Sequence, residues 1–277
     1  MIKAKKKFGQ NFLIDEKILT KIIESTPDLR AKNVAKVVEI GCGLGDLTAK
    51  LLQKFDQICG YEIDEELFEI LQNKFQTEIL SKKLELNLGD VLENWGENLR
   101  DECYFLVANL PYYVATKIIL KAIDDEKCVG IIVMIQKEVA MKFSANCGEK
   151  EFSALAIVAN LRGKCEICFD VAPDAFNPPP KVVSSVIKIE KSREIYGENA
   201  FFATKTDYEN FKNFLKLAFS SPRKKLIKTL TANYSTNALK CAFETLKIDE
   251  NLRSHQVDIA LFIKIFNFLK ANNERRD

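Results

Sequence analysis

The chain is almost without histidine: His255 is the single one in 277 residues. Chemistry centred on an imidazole pair or on histidine-bound metal has nothing to draw on. No apolar run approaches the roughly 20 residues that a membrane-spanning helix needs. The basic start "MIKAKKKFGQNFL" is not followed by a signal-peptide apolar core or a small-residue cleavage site, so a cytoplasmic protein is expected. The G-x-x-x-x-G-K-[ST] phosphate loop is missing. The eight cysteines form no secreted framework; Cys42, Cys59 and Cys128 sit in apolar runs and read as small buried hydrophobes. The one C-x-x-C, Cys165 and Cys168, has no second pair to complete a zinc site, and its strand-like alternation sends the two thiols to opposite faces. No metal is expected. Internal repeats and long low-complexity segments are also lacking.

What is there is an ordinary composition, 47% hydrophobic and 29% charged, enough for a sizeable core. The net charge is only +2 but uneven. Lys3, Lys5, Lys6 and Lys7 crowd the start; Arg223, Lys224, Lys225 and Lys228 crowd a second segment. Acidic residues gather in "YEIDEELFEIL". Such patches on a near-neutral chain suit either a solvated surface or a polyanion docked on one face.

The pattern alternates. A helix is expected over 14–26 with Asp15 near its start, then strands at 36–41, 57–64, 84–90, 104–110 and 129–136. Helical segments stand between them, and Asp46 is placed as the N-cap of "DLTAKLLQKF". Strands alternating with helices predict an α/β fold, a mostly parallel sheet covered on both faces. "FSALAIVANL", "KCEICFDV" and "SSVIKIEK" read as a helix and two strands, an antiparallel finish to the sheet. Between the last two, "FNPPPK" is a stiff extended loop. The polar stretch 191–200 predicts a boundary, giving one domain over 1–192 and a small all-α domain over 200–277.

"EIGCGLG" (39–45) is a glycine turn between a strand and a helix, a place where backbone approaches a ligand. The next strand ends in Glu62, placed to accept hydrogen bonds from a ribose diol. The third ends near Asp90, placed to accept from an adenine amine. Two carboxylates and no cation nearby suit an adenosyl ligand without phosphates, hence S-adenosylmethionine rather than a dinucleotide.

The fourth strand breaks into Asn109-Leu110-Pro111-Tyr112 on the same rim. An exocyclic adenine amine is a poor nucleophile, because its lone pair is delocalised into the ring. The Asn109 side-chain oxygen and the Leu110 carbonyl can accept both amine hydrogens and free that pair. Pro111 holds Leu110 extended. Tyr112 offers a stacking face for an extruded base, and Phe176, on the proline loop, is expected on the other face. Lys181 is a candidate phosphate contact. Position and electrostatics then carry the reaction without a strong base.

"KKKFGQNFLID", "VVEIGCGLGDLT", "GYEID", "NLPYYVATKII" and "FNPPPKVVSSVIKI", in this order, resemble the ribosomal RNA adenine N6,N6-dimethyltransferase family. The resemblance runs over about 5–190, and the helical tail also fits. It implies a Rossmann-like methyltransferase with a helical C-terminal domain. It also implies S-adenosylmethionine as cofactor, and dimethylation of two adjacent adenines in the 3′-terminal hairpin of 16S ribosomal RNA in the small subunit, during late assembly. Asn11, Leu13, Gly41, Gly43, Glu62, Ile63, Asp90, Val91 and Asn109 would contact the cofactor. "FGQNFL" would be a flap over it. Lys5, Lys6, Lys7, Lys181, Arg223, Lys224 and Lys225 would reach RNA, and a monomer is expected. Two departures stand out: the family carries a denser basic run where this chain has "FSSPRKKLIKTL", and Cys42 stands where proline is frequent. Two rivals differ in class or target. One is a large-subunit adenine methyltransferase of the erythromycin-resistance type; the other is a non-catalytic RNA-binding assembly factor.

Overall fold

A computed structural model describes residues 4–29, 34 and 36–272. The strands are β1 (Phe12–Leu13), β2 (Lys36–Ile40), β3 (Gln57–Glu62), β4 (Leu84–Leu88), β5 (Tyr104–Asn109), β6 (Cys128–Gln136), β7 (Gly163–Val171), β8 (Phe176–Asn177) and β9 (Ser184–Lys191). Seven form one sheet in the order β4-β3-β2-β5-β6-β9-β7. β2 to β6 pair in parallel and β9 joins β6 antiparallel, as the alternating pattern predicts. The central strands read as unbroken apolar runs because both faces are covered. Val37, Val38, Phe105, Leu106 and Val107 are all buried.

This order places the site. From β2 the chain winds outward through β3 to β4, then returns to the other side of β2 with β5. A crevice opens where the winding reverses, at the carboxyl ends of the strands. The glycine turn after β2, Glu62 at the end of β3 and Asn109 at the end of β5 all stand at that rim.

The first helix, Glu16–Ser25, starts where Asp15 accepts hydrogen bonds from the Lys17 and Ile18 amides. Asp46 corrects the expectation made for it. The N-cap of helix Asp46–Lys54 is Gly45, at φ 80° with no side-chain cap, and Asp46 is the first helical residue. A Cβ at Gly45 would lie 2.6 Å from the Phe75 ring and 2.8 Å from Leu71, so the tight left-handed turn takes the cap position from the aspartate. At the start of the helix the Asp46 charge still faces the positive end of the dipole, and Lys74 reaches both it (3.4 Å) and the Leu44 carbonyl (2.8 Å).

The chain divides into two compact units, one of residues 1–140 and 164–192, the other of 141–163 and 193–277. The sequence reading runs the first domain unbroken to 192; here the segment 141–163 leaves it and packs with the C-terminal helices. Phe152 meets Phe219 at 6.2 Å between ring centroids. The core of this second unit is aromatic, with Phe211 and Phe266 in contact with each other and each with Phe202 and Phe214, on or beside helices Lys205–Ala218 and Ile259–Ala271. Among the described residues no helix is long and apolar enough to cross a membrane.

Candidate active site

A cleft opens at the crevice, about 760 Å³ when the open solvent at its mouth is included. Its floor is the glycine turn, where Gly41 and Gly43 adopt φ of 77° and 59°. A methyl at Gly43 would come within 3.3 Å of the Phe12 ring. One wall is the amino-terminal strap, Phe8 to Leu13. Glu39, Asp46, Glu62 and Ile63 line it as well, and Asn109, Leu110, Pro111 and Tyr112 form the far rim. Among these described lining residues none is a lysine, arginine or histidine.

Glu62 is held from three sides. One oxygen accepts the Gly43 amide at 2.8 Å; the other accepts those of Ile63 and Asp64 at 2.9 and 3.0 Å. Burial raises its pKa, and these backbone donors work against that rise. The sharp turn after β3 thus aims the carboxyl at the turn after β2, where it lines the cleft. Glu39, one strand over, is 1% exposed and accepts the Thr48 hydroxyl at 2.7 Å. Burial pushes its carboxyl up to about 8. At neutral pH it is an uncharged acid under the cleft.

Asn109 ends β5 half-buried, and its amide nitrogen donates to the Asn11 carbonyl of the strap at 3.1 Å. That bond turns its oxygen the other way. Leu110 is buried, its amide bound to the Met134 carbonyl at 3.2 Å, and no donor reaches its own carbonyl among the described residues. Helix Tyr112–Asp124 follows with Pro111 as its N-cap. The Tyr112 hydroxyl lies 2.6 Å from that of Ser184, which fixes the ring at the rim.

The other expected positions are spread out. Asn11 and Leu13 line the cleft. Asp90 does not: it is half-buried and caps helix Val91–Asn94 through the Leu92 amide at 2.8 Å, and Val91 is buried. Phe176 is 3% exposed, packs within the hydrophobic core and is not among the cleft-lining residues; its strand pairs with β1. Lys5 is likewise engaged, at 2.6 Å from Asp64 and 2.9 Å from Glu66, rather than open to an outside anion. Lys7 is exposed over the Phe8 ring. Lys3 and the Lys6 side chain lie outside the described residues. Lys181 is exposed on the first unit; Arg223, Lys224 and Lys225 are exposed on the second, where Lys225 also bonds Asn251 at 2.5 Å.

Sequence reasoning missed three participants. Asp64 has a nearly fully buried side chain that receives Lys5, the Gln10 amide at 2.9 Å and the Glu66 amide at 3.2 Å. Burial works to raise its pKa, but these donors outweigh it and hold it below the usual range. Gln10 also accepts the Lys5 amide at 2.7 Å. The strap is therefore clamped at one end by Asp64 and at the other by β1 pairing with β8. Glu39 is the third. Its signal was present, a carboxylate inside the apolar run "KVVEI", which is an expensive place for a charge.

The model of the ribosomal RNA adenine dimethylase family matches residues 1–271. A protein of Campylobacter curvus named ribosomal RNA small subunit methyltransferase A is 55% identical over 277 residues, covering 100% of this chain and 95% of that one. One of the same name from Campylobacter jejuni is 45% identical, over 100% of this chain and 98% of its own. Among solved structures, a dimethyladenosine transferase from Plasmodium falciparum superposes with a TM-score of 0.74 at 26% identity, over 95% of this chain and 99% of that one. The 23S ribosomal RNA methyltransferase ErmE reaches a TM-score of 0.69 at 22% identity, over 94% of this chain and 100% of its own, a likeness of fold.

Proposed function

The chain belongs to the ribosomal RNA adenine dimethylase family, and from that premise we propose that it transfers methyl groups from S-adenosylmethionine to N6 of two adjacent adenines in the 3′-terminal hairpin of 16S ribosomal RNA, in the small subunit. The observation that carries this reading is the rim at Asn109 and Leu110. A fixed amide oxygen and a carbonyl that no donor reaches among the described residues stand beside an aromatic ring, at the edge of a cleft whose described lining holds no cation.

The cleft suits the cofactor. Close approach at Gly41 and Gly43, the aimed carboxyl of Glu62 and the lack of cations among the described lining residues fit an adenosyl sulfonium better than any phosphate-bearing ligand. Glu62 and Ile63 would hold its ribose and Asn11, Leu13, Gly41 and Gly43 its remaining length, while its adenine would extend past the cleft lining toward Asp90 and Val91. When bound, it supplies an electrophilic methyl group.

The chain's own residues do the rest. The Asn109 Oδ1 and the Leu110 carbonyl accept the two hydrogens of the adenine amine and draw nitrogen toward tetrahedral geometry. Pro111, at φ −58°, keeps that carbonyl presented. The Tyr112 ring, anchored through its hydroxyl, stacks on the extruded base. The amine becomes acidic only as the methyl arrives, so the proton can leave to water and no strong base is required. Exposed Lys7, Lys181, Arg223, Lys224 and Lys225 would meet phosphates.

The test uses labelled S-adenosylmethionine with small and large ribosomal subunits from cells lacking this activity. Four methyl groups per small subunit, mapped by mass spectrometry to two adjacent dimethyladenosines, are expected. Label confined to large-subunit RNA would overturn the target; absence of label on both, with cofactor bound, would overturn the activity.

A further inference from the structure

We propose that the cofactor strap and the proline loop are one mechanical unit, so that cofactor binding and RNA binding at this site strengthen each other; the inference rests on the function proposed above. The strap supplies a wall of the cleft from Phe8 to Leu13. Its last two residues, as β1, pair with β8 in the register Phe12 to Asn177 and Leu13 to Phe176. The Ile14 amide extends the ladder to the Ala175 carbonyl at 2.9 Å. β8 runs directly into the proline loop, whose Lys181 is exposed and whose Val182 and Val183 are 43% and 39% exposed. The loop then ends at Ser184, bonded to Tyr112 on the rim. One end of the loop is therefore fastened to the cofactor wall and the other to the target-base wall.

This two-stranded pair stands apart from the seven-stranded sheet, with Leu13 and Phe176 seated in the hydrophobic core, and its backbone ladder gains from whatever steadies the strap, since two strands alone are marginal. A ligand filling the cleft presses against the strap, lowers its freedom and, through the ladder, that of the loop. RNA meeting the ordered loop then has less conformational entropy to remove. Linkage requires the reverse effect to be equal.

The experiment measures binding of the full chain to small ribosomal subunits lacking the dimethyl mark, by fluorescence anisotropy, with and without S-adenosylhomocysteine. The affinity of S-adenosylhomocysteine is measured with and without those subunits. Both affinities should rise by the same factor, about fivefold or more. Ile14→Pro deletes the amide that bonds Ala175 while altering a side chain that is 52% exposed; it should bring the factor toward one, and Ile14→Ala should retain it. A factor of one in the unaltered chain, or the same factor in Ile14→Pro, overturns the coupling while leaving the methyltransferase reading standing. Failure of the unaltered chain to bind either ligand overturns that reading and the coupling with it. Should Ile14→Pro not fold, amide exchange of the unaltered chain decides: S-adenosylhomocysteine should slow exchange at Ile14 and Asn177, outside the cleft lining, and unchanged exchange there overturns the proposal.

Discussion

The side-chain nitrogen of Asn109 lies 3.1 Å from the backbone carbonyl oxygen of Asn11. An amide has one donor end and one acceptor end, so binding the first to the strap fixes where the second points. Asn109→Ala should lower kcat by roughly 10²–10³-fold, the loss typical of removing one aimed polar group from a reacting centre. Binding to small subunits should be largely kept. Single-turnover methylation alongside anisotropy separates the two, and preserved chemistry with lost binding would contradict the role.

The clamp at Asp64 gives a second expectation. Lys5→Met removes the partner of a carboxylate whose side chain is only 3% exposed and loosens one end of the strap. The affinity for S-adenosylmethionine should fall a few-fold by calorimetry. The loss should match what added salt does to the unaltered chain, because the ammonium is itself partly exposed. An affinity indifferent to both would separate the strap from cofactor retention.

Tyr112 divides into a ring and a hydroxyl. Tyr112→Phe leaves the buried Ser184 without its 2.6 Å partner and should cost about 1–3 kcal/mol of stability while keeping the stacking face. Tyr112→Ala also removes the face and should weaken the acceptor by a further 1–3 kcal/mol, roughly the worth of one stacked base. Urea denaturation and KM for small subunits read the two effects apart.

Glu39 predicts a pH dependence. Its folded pKa of about 8 lies above the unfolded value of 4.5, so the native state holds the proton more tightly. Its contribution is fully present below about 4.5 and is lost as pH rises through about 8. The melting temperature should fall between pH 6 and pH 9, and Glu39→Gln, which mimics the neutral acid, should flatten that slope. An equal slope in the variant would mean that another group titrates.

Replacing Arg223, Lys224 and Lys225 together should weaken RNA binding at low salt. It should also reduce the slope of log affinity against log salt by about two to three, near one for each phosphate that the three cations neutralise. A slope unchanged from the parent would remove this patch from the RNA footprint.

The sheet was legible because parallel strands must be apolar through their length, and "KVVEI", "FLVAN" and "GIIVMI" announce themselves. The cleft positions at the strand ends were legible for the opposite reason: Glu62 and Asn109 are polar where the pattern calls for burial. Partners supplied from afar were not legible. Nothing in "KKKFGQNFL" says that Lys5 answers Asp64, or that Phe12 and Leu13 form a strand, since two residues carry no periodicity. That Phe176 packs in the core was not legible either, because a proline loop suggests exposure and its pairing partner lies far back in the chain. Asp46 lost its cap for a similar reason: the turn before it needed a glycine packed against Phe75. The second unit's claim on 141–163 was hidden because an excursion between strands reads like any crossover.

The pairing of Phe12 with Asn177 joins positions about 165 residues apart. A growing chain emerges amino end first, at roughly 5–20 residues per second. The strap therefore waits on the order of ten seconds or more before its partner strand is made. Until then the cleft lacks a wall, whatever the state of the glycine turn. The nascent chain can own the parallel strands β2 to β6 and still be unable to retain its cofactor, so the capacity to react switches on only once the chain has grown past Asn177.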